Sequence, residues 1–359
     1  MIFNAIIPTN YYIPIFYNSV LLLVFITYFK LISKEVDFKK NSKEYASIML
    51  LALVTLYIGL RPLNVIFGDM GAYNSKFIFY QEGMPINFEL KDYLWDVFMK
   101  FCSGFMTVTT FFLLCAFIYI YPLYTACKKW FGANKYIPFL MLIASFSFWS
   151  YGTNGIRNGI ATSLFIYAIT RDNLFVKYGF FFIAFSIHGS LMIPILAYIL
   201  TMFFKNPKHY LLGWLVAIPL SIGLGGFWEG FFMSLGFGGD RMGYLTDDRF
   251  VDQFSSLGFR WDFVVYSAAA VFTGYYFIVK KKFKDKVYHQ IFNIYVTANA
   301  FWILVIRASF SNRFAYLSWF LMAIVIFYPF LKEKLVVNQS KKLAFIVVLY
   351  FGFTYYMTL

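Results

Sequence analysis

Arginine side chains supply the most informative chemistry in this chain of 359 residues. Five of them flank apolar segments: Arg61, Arg157, Arg260, Arg307 and Arg313. A guanidinium group is planar, always protonated and able to bind phosphate through two parallel hydrogen bonds. These positions predict a phosphate-binding site, with Arg61 and Arg260 in supporting roles. Each side chain could instead extend to lipid headgroups or pair with a loop carboxylate.

Arg157 has the most constrained sequence context of the five. It lies in Asn154-Gly155-Ile156-Arg157-Asn158-Gly159, where Gly155 and Gly159 form a GxxxG step. Such a step lets a second helix backbone approach closely. The start of a helix also carries partial positive charge, which favours an anion. We therefore predict that Arg157 takes part in catalysis as well as in binding the anion.

Two residues are candidates for a general base. His188 lies in Ser186-Ile187-His188-Gly189-Ser190, and an imidazole exchanges protons near neutral pH. Asp69 follows Gly68 and is the competing candidate. The alternatives are that His188 is a packed, hydrogen-bonded histidine and that Asp69 only forms a turn.

Composition predicts the elements that must position these residues. Hydrophobic residues make up 61% of the chain, charged residues 13%, and the mean hydropathy is +0.66. A soluble domain has about 45–50% apolar and about 25% charged residues. We predict an all-α, polytopic bundle forming a single integral membrane domain over residues 1–359, with about twelve spans. The predicted spans are 11–32, 44–62, 104–127, 136–150, 155–170, 176–189, 190–204, 209–226, 262–279, 287–306, 313–331 and 342–358.

The distribution of basic residues predicts the orientation. Cytoplasmic loops are rich in Lys and Arg, so the Lys-rich loops are assigned to the inner side. Seven of the eight arginines then lie outside, with both termini, whereas 20 of the 23 lysines lie inside. The rule treats Lys and Arg alike, so this separation indicates that the outer face needs guanidinium groups. Residues 1–29 lack Lys and Arg, and no signal peptide is predicted.

Two predicted outer segments, 63–103 and 227–261, are longer than a connection requires. In the first, apolar residues recur at helical spacing and predict an amphipathic helix in the membrane interface. These residues are Leu90, Leu94, Val97, Phe98 and Phe101. The second mixes glycine, aromatic and charged residues, including Arg241 and Arg249, and predicts an ordered binding loop.

Aromatic residues on the predicted outer side offer surfaces for sugar rings. Tyr73, Tyr151 and Trp261 are the candidates for glycan binding. Tyr and Trp are also enriched at both membrane interfaces, so an interfacial role is the alternative for Tyr151 and Trp261.

Several classes of function lack support in the sequence. Cys102, Cys115 and Cys127 have no metal-ligand spacing and predict inert packing. HExxH, Walker A and GxGxxG motifs are absent from the sequence. The net charge of +14 is scattered through short loops, which does not indicate nucleic acid binding. We predict no metal and no cofactor.

Together these motifs resemble a known family. The runs are Gly59-Leu60-Arg61, Gly68-Asp69 with Tyr73, Asn154 to Ala161, Phe185 to Ser190, Arg307, and Ser311-Asn312-Arg313-Phe314-Ala315-Tyr316. Their order and spacing resemble the EpsG-like group of Wzy-type polysaccharide polymerases, from about residue 50 to 330. One departure is Asn158, where the family often has Gln after its central arginine.

The resemblance implies a multi-pass protein of the bacterial cytoplasmic membrane with GT-C-like glycosyltransferase architecture. Its active site would face the periplasm or exterior, where it joins oligosaccharide repeat units carried on undecaprenyl diphosphate. Arginines would stabilise the charge on the departing diphosphate. Expected partners are the lipid-linked oligosaccharides, membrane lipids and a chain-length regulator.

Three alternatives remain at this point. A lipid-linked oligosaccharide flippase or other transporter would place ionisable groups near the bilayer midplane, between broken helices. An O-antigen ligase would use closely related chemistry. A membrane acyltransferase that uses acyl-CoA would need its histidine on the cytoplasmic side, opposite to the predicted side of His188.

Overall fold

The structure, a computed structural model, describes residues 7–36, 45–88, 92–234, 259–308 and 312–358. These residues form α-helices, short 3₁₀ turns and one π-helix, and no strand occurs among them. The α-helices are α1 Tyr12–Ser33, α2 Tyr45–Gly59, α3 Met70–Gln81, α4 Tyr93–Ser103, α5 Val108–Phe131, α6 Tyr136–Ile143, α7 Phe146–Thr153, α8 Ile156–Ile169, α9 Leu174–Ile187, α10 Met192–Phe203, α11 Pro207–Ser234, α12 Trp261–Tyr275, α13 Lys286–Leu304, α14 Asn312–Lys332 and α15 Gln339–Tyr356. The π-helix, Tyr276–Lys280, continues α12.

Five helical stretches in the described part of the chain are long and apolar enough to cross a membrane. They are Thr9–Ser33, Val108–Asn134, Pro207–Phe232, Trp261–Lys280 and Arg313–Lys332. Four shorter apolar stretches accompany them: Tyr45–Gly59, Ile156–Ile169, Leu174–Ile187 and Gly189–Phe203. The all-α membrane class is thereby confirmed, whereas the count of about twelve crossings stays a prediction.

Every predicted span overlaps a helix, and two of them differ in extent. The span 136–150 is divided between α6 and α7, and the hydroxyl of Ser145 donates to the carbonyl of Leu142 at 2.7 Å at the division. The span 209–226 corresponds to α11 up to its break at Leu224, and the helix resumes beyond the break and continues to Ser234. The predicted outer segment 227–261 therefore begins inside a helix. Arg241 and Arg249 lie outside the described residues.

Polar side chains set several helix starts. The side chain of Asn173 accepts a hydrogen bond from the backbone N–H of Val176 at 3.2 Å, and Asp285 accepts one from Tyr288 at 2.9 Å. Thr107 does the same for Thr110 at 3.3 Å. Each satisfies one of the backbone donors that a helix start leaves without a partner.

The described helices divide into two compact units, and the first contains Met1–His188 and Phe330–Leu359. In this unit α2 packs on α5, α5 on α8, α8 on α9, and α1 on α15. Gly59, the last residue of α2, makes the first of these approaches possible. A Cβ atom there would lie 2.7 Å from the Cα of Leu113 in α5.

The second unit is Gly189–Pro329, in which α10 and α11 pack on α13. Its core contains a buried polar network centred on Asn299. The indole of Trp214 donates to Asn299 Oδ1 at 2.7 Å, and Asn299 Nδ2 donates to Ser267 at 3.1 Å and to Ser318 at 3.0 Å. Because every bond in this network joins different helices, it specifies how they align.

The segment 63–103 contains two helices, α3 and α4, of which the sequence predicted only the second. In α4, Trp95, Asp96 and Met99 are buried, whereas Phe101 of the predicted apolar face is 70% exposed. That this face lies in the membrane interface stays a prediction.

The three cysteines are free thiols, and all are buried. Cys102 lies in α4, and Cys115 and Cys127 lie in α5. This confirms the prediction that they pack in the interior.

Candidate functional site

Arg157 lies in the first turn of α8, where it meets residues of α3 and α4. Its Nη1 atom is 3.4 Å from Oδ2 of Asp92, and its guanidinium hydrogen-bonds to the phenol of Tyr73. Asp96 lies close enough to interact with it electrostatically. The side chain remains 35% exposed. The ion pair is longer than the usual 2.7–2.9 Å of a charge-assisted hydrogen bond, so the guanidinium can accept a further anion.

The Arg157 neighbourhood also contains Asp69, at the N-cap of α3. Its backbone N–H donates to Oδ1 of Asn154 at 2.9 Å, and its carboxylate interacts electrostatically with Tyr73. Gly68 makes this connection possible, since its φ is 69° and a Cβ atom would lie 2.3 Å from Asn154 Oδ1. The Gly68-Asp69 pair is thus held against Asn154, in the segment before Arg157. Both runs belong to the motif pattern described from the sequence.

Tyr73 connects these groups. Its ring meets that of Trp95 edge-on, with centroids 5.6 Å apart. Burial raises the pKa of its phenol, while the nearby Arg157 acts in the opposite direction. The phenol therefore stays protonated at neutral pH. The side chain is buried, so its ring face offers little surface for stacking on a sugar.

Asp96 and Lys76 form a second ion pair beside Arg157. Lys76 Nζ lies 2.7 Å from Oδ1 and 2.9 Å from Oδ2 of Asp96. Burial, together with the Asp96 carboxylate, raises the pKa of Tyr80 to about 12. Asp96 is therefore engaged with α3, and Arg157 is left with Asp92 as its closer carboxylate.

Gly159, but not Gly155, makes the close backbone approach that was predicted for the GxxxG step around Arg157. A Cβ atom on Gly159 would lie 2.5 Å from the carbonyl oxygen of Tyr151, so α7 and α8 approach through their backbones. Around Gly155 the nearest atom, Cδ1 of Tyr151, would be 3.4 Å away, which is an ordinary contact. The close approach fixes where α8 begins and therefore where Arg157 is placed.

Arg61 is buried, with 3% exposure, and among the described residues its Nε atom has no hydrogen-bond acceptor. Its Nη1 donates to the carbonyl of Ile58 at 2.5 Å, and its Nη2 to that of Thr153 at 3.0 Å. Its guanidinium carbon lies 5.4 Å from the ring centroid of Phe112. Arg61 thus joins the end of α2 to the end of α7, one residue before the segment that leads to Arg157.

His188 follows α9 as its C-terminal cap, and its backbone N–H donates to Ala184 at 3.1 Å. The residue is 5% exposed. A base must reach the proton it removes. Of the two predicted bases, Asp69 is the exposed one, and its carboxylate acts on Tyr73 of the Arg157 group.

Arg260 belongs to the second unit and is already paired. Its Nε and Nη2 atoms donate to the two carboxylate oxygens of Asp262 at 2.9 and 2.6 Å. Its guanidinium carbon lies 4.0 Å from the centroid of the Phe263 ring. A diphosphate would have to compete with this two-point contact, so Arg260 is the weaker of the predicted anion binders.

Arg307 and Arg313 are also in the second unit. Arg307 is exposed, follows the end of α13, and donates from Nη2 to the carbonyl of Ile222 in α11 at 3.3 Å. Arg313 is half-buried at the start of α14. A common site for all five arginines stays a prediction, with Arg61 and Arg157 in the first unit and the other three in the second.

The remaining aromatic candidates differ in accessibility. Tyr151 is buried within α7, so its ring face is not a surface on which a sugar could stack. Trp261 is 54% exposed and packs against Phe259, with ring centroids 4.5 Å apart. Trp261 is therefore the candidate with a free ring surface.

A cavity of about 770 Å³ lies elsewhere in the first unit, between α1, α2 and α6. Its lining is mainly apolar, with Lys30 and Lys34 at one end. None of the sequence-predicted site residues lines it. Among the described residues, no group of three or more His, Cys, Asp and Glu side chains could hold a metal ion.

The sequence analysis missed Asp92, Asp96 and Lys76 as members of the Arg157 group. All three were assigned to the predicted outer segment but given no role. Asp92 has a left-handed backbone with φ of 66°, a conformation that Asp and Asn tolerate better than most residues. The spacing of Asp92 and Asp96, one helical turn apart beside an apolar face, was the available signal.

The apolar helices define a helical membrane protein, and the Arg157 group is a cluster of charged residues within its first unit. The sequence model of the EpsG family matches residues 45–359, and the chain belongs to that family. This confirms the resemblance found in the motifs, and membership indicates a polysaccharide-polymerase type of function. No curated protein and no solved structure matches the chain.

Proposed function

We propose that this chain is a membrane glycosyltransferase that polymerises O-antigen or exopolysaccharide repeat units. The donor is an oligosaccharide on undecaprenyl diphosphate, and the acceptor is a hydroxyl of a second lipid-linked chain. The reaction takes place at the outer face of the bacterial cytoplasmic membrane. The protein has about twelve spans and GT-C-like architecture, and a chain-length regulator is a partner.

The observation that carries this proposal is the state of Arg157. It is held by Tyr73 and Asp92, yet more than a third of its side chain faces open space. A guanidinium in this setting binds a diphosphate and stabilises the negative charge that grows as the glycosidic C–O bond breaks. Family membership over most of the chain supports the same chemistry.

We assign the predicted residues as follows. Arg157 binds the diphosphate, with Arg307 and Arg313 as further binders and Arg260 in a supporting role. Arg61 acts as a positioning residue, because its Nη groups donate to the backbone carbonyls of Ile58 and Thr153. Thr153 is the last residue of the helix before the Arg157 segment. Of the two bases expected from sequence, His188 and Asp69, Asp69 is the exposed one. Trp261 is the glycan-contacting aromatic.

A lipid-linked oligosaccharide transporter is a second candidate function, and one observation favours it. Helix α11 is broken at Leu224 inside the candidate span Pro207–Phe232, and Arg307 reaches Ile222, close to the middle of that span. Broken helices with charged groups near the bilayer midplane are a feature of transporters. An O-antigen ligase, which transfers the same donor to a different acceptor, is not separated from the polymerase by geometry.

The decisive experiment uses purified protein in detergent, where translocation has no meaning. Undecaprenyl-diphosphate-linked repeat units are supplied alone, and the products are separated by chain length. A ladder of longer glycans with release of undecaprenyl diphosphate supports the polymerase. Repeat units that stay single in detergent, but cross the bilayer of proteoliposomes, support the transporter. Transfer only to an added lipid A-core acceptor supports the ligase.

A further inference from the structure

Helix α11 is interrupted in the second unit, and the interruption places polar groups inside an apolar helix. Leu224 has φ of −128° and ψ of 27°, which are not helical values, and Pro219 lies one turn and a residue earlier. Two carbonyls near the break accept side-chain hydrogen bonds. The indole of Trp228 donates to Leu220 at 3.2 Å, and Arg307 donates to Ile222 at 3.3 Å. The break is therefore stabilised by side chains, which is how such interruptions persist at membrane depth.

Gly225, the residue after the break, provides the surface on which Arg307 lies. A Cβ atom at this position would be 2.9 Å from Arg307 Nη1 and 3.1 Å from its Cδ. The neighbouring Gly226 has no heavy atom within 4 Å of the corresponding Cβ position. Thus one of two adjacent glycines is required for the position of Arg307, and the other is not.

Glu229 lies one turn further along α11 and faces the same arginine. Its Oε1 atom is buried, and among the described residues no donor forms a hydrogen bond with it. Arg307 acts on it electrostatically. A buried, unsatisfied carboxylate oxygen within a candidate span is costly, and such groups are retained chiefly where they serve a function.

Glycosyl transfer from a lipid diphosphate needs two groups that this arrangement supplies. One is a cation for the departing diphosphate, and exposed Arg307 has N–H donors besides the one that it gives to Ile222. The other is a proton acceptor for the attacking hydroxyl. Oε1 of Glu229 is an acceptor to which no described residue donates, and Arg307 acts electrostatically on its carboxylate.

We propose that Glu229 is the general base of the transfer reaction and that Arg307, placed by Gly225, binds the diphosphate beside it. This inference rests on the proposed polymerase function. The acceptor hydroxyl oxygen forms a bond to C1 of the donor sugar, and its proton passes to the carboxylate of Glu229. The bond from C1 to the diphosphate oxygen breaks, and undecaprenyl diphosphate leaves with the electron pair. The proton on Glu229 is then returned to water.

This assignment differs from the two bases expected from sequence. His188 and Asp69 belong to the first unit, whereas Glu229 shares its unit with Arg307. Glu229 has a buried oxygen to which no described residue donates, whereas Asp69 is exposed.

The test compares four variants in the detergent assay: Glu229→Gln, Glu229→Asp, Gly225→Ala and Gly226→Ala. E229Q keeps the shape of the side chain and removes the base. We expect its turnover at saturating donor to fall about a hundredfold or more, with donor binding retained. The rise of kcat/KM with pH that a single base produces should be absent in E229Q. E229D, whose carboxylate is one methylene group shorter, should keep that rise at a reduced rate.

G225A should displace Arg307 and weaken binding of undecaprenyl diphosphate alone by about tenfold, the value of one charge-assisted hydrogen bond. G226A is its matched control and should bind and turn over as the wild type does. Thermal melting of all four proteins checks that each is folded. If E229Q aggregates, the pH profile of E229D becomes the test of the base.

The outcomes separate the two proposals. A wild-type protein that makes no polymer removes the proposed function and the role of Glu229 with it. A wild-type ladder together with an equally active, folded E229Q overturns the assignment of Glu229 and leaves the polymerase standing. Equal lipid binding by G225A and G226A overturns the role of Arg307 in holding the diphosphate.

Discussion

Arg157 and Asp92 lie 3.4 Å apart at the meeting point of α8 and the start of α4, as a loose ion pair. A tight pair would saturate the guanidinium, and an absent pair would leave a half-buried charge without compensation. The observed spacing keeps Arg157 oriented and leaves it able to exchange one carboxylate for a more highly charged anion. A diphosphate, with two bridged phosphoryl groups, is such an anion.

Replacing Arg157 with alanine should abolish long chains without loss of protein. A charge-assisted hydrogen bond contributes about 1.5–3 kcal/mol, so turnover should fall about tenfold to a hundredfold or more. The measurement is polymer length in cells at matched protein level, followed by rates in detergent. Arg171→Ala is the matched control, because Arg171 follows the other end of α8 and stacks on Tyr167, 4.2 Å from its ring centroid. Normal chain length in R157A would remove Arg157 from the site.

Replacing Asp92 with asparagine should strengthen anion binding at Arg157. The change removes a competing negative charge, and asparagine tolerates the left-handed backbone at this position. A partly exposed ion pair is worth about 0.2–1 kcal/mol, so the affinity for inorganic pyrophosphate should rise by up to about fivefold. Isothermal titration with pyrophosphate measures this. Asp172→Asn, which removes the exposed partner of Lys129, should leave the affinity unchanged. Weaker binding by D92N would contradict the exchange of Asp92 for phosphate.

Alanine at Gly159 should destabilise the protein and displace Arg157. The new Cβ atom would lie 2.5 Å from the Tyr151 carbonyl oxygen, a backbone atom that cannot move without shifting α7. Such overpacking costs about 1–3 kcal/mol. Gly179→Ala in α9 is the control, since nothing lies within 4 Å of its Cβ position. Thermal unfolding in detergent should separate the two variants, and equal melting temperatures would show that α7 and α8 do not depend on this contact.

Alanine at Asn299 should lower the stability of the second unit while leaving the surface unchanged. The indole of Trp214 would lose its acceptor in a fully buried setting. Ser267 and Ser318 would each lose one bond but keep their bonds to Trp319 and Ala315. Leaving a buried donor unsatisfied costs about 1–3 kcal/mol. Thr273→Ala, which removes an exposed hydroxyl bonded to Ala269 of its own helix, is the control. The free energy of unfolding, measured in denaturant, should fall for N299A and stay near the wild-type value for T273A.

The sequence by itself determined the class of protein and most of its helices. Runs such as 313–331 are long and apolar, and a helix is the only way to satisfy their backbone groups in lipid. The family was also readable, because the arginine and glycine motifs keep their order along the chain. The sequence did not predict that the run 136–150 is split or that α11 continues to Ser234. An apolar run has the same pattern whether its helix is continuous or broken.

The tertiary structure alone decided which charged residues act together. Asp92 and Asp96 looked like solvent-facing residues of an amphipathic helix, yet both interact with Arg157, 61 to 65 positions away in the chain. Arg61 looked like an anion binder and is instead buried among backbone carbonyls. Glu229 was passed over within a charged outer segment, and only the break in α11 places it beside Arg307. Spacing along a chain predicts which residues share a helix, whereas the partner of a charge is set by packing between helices that are distant in sequence.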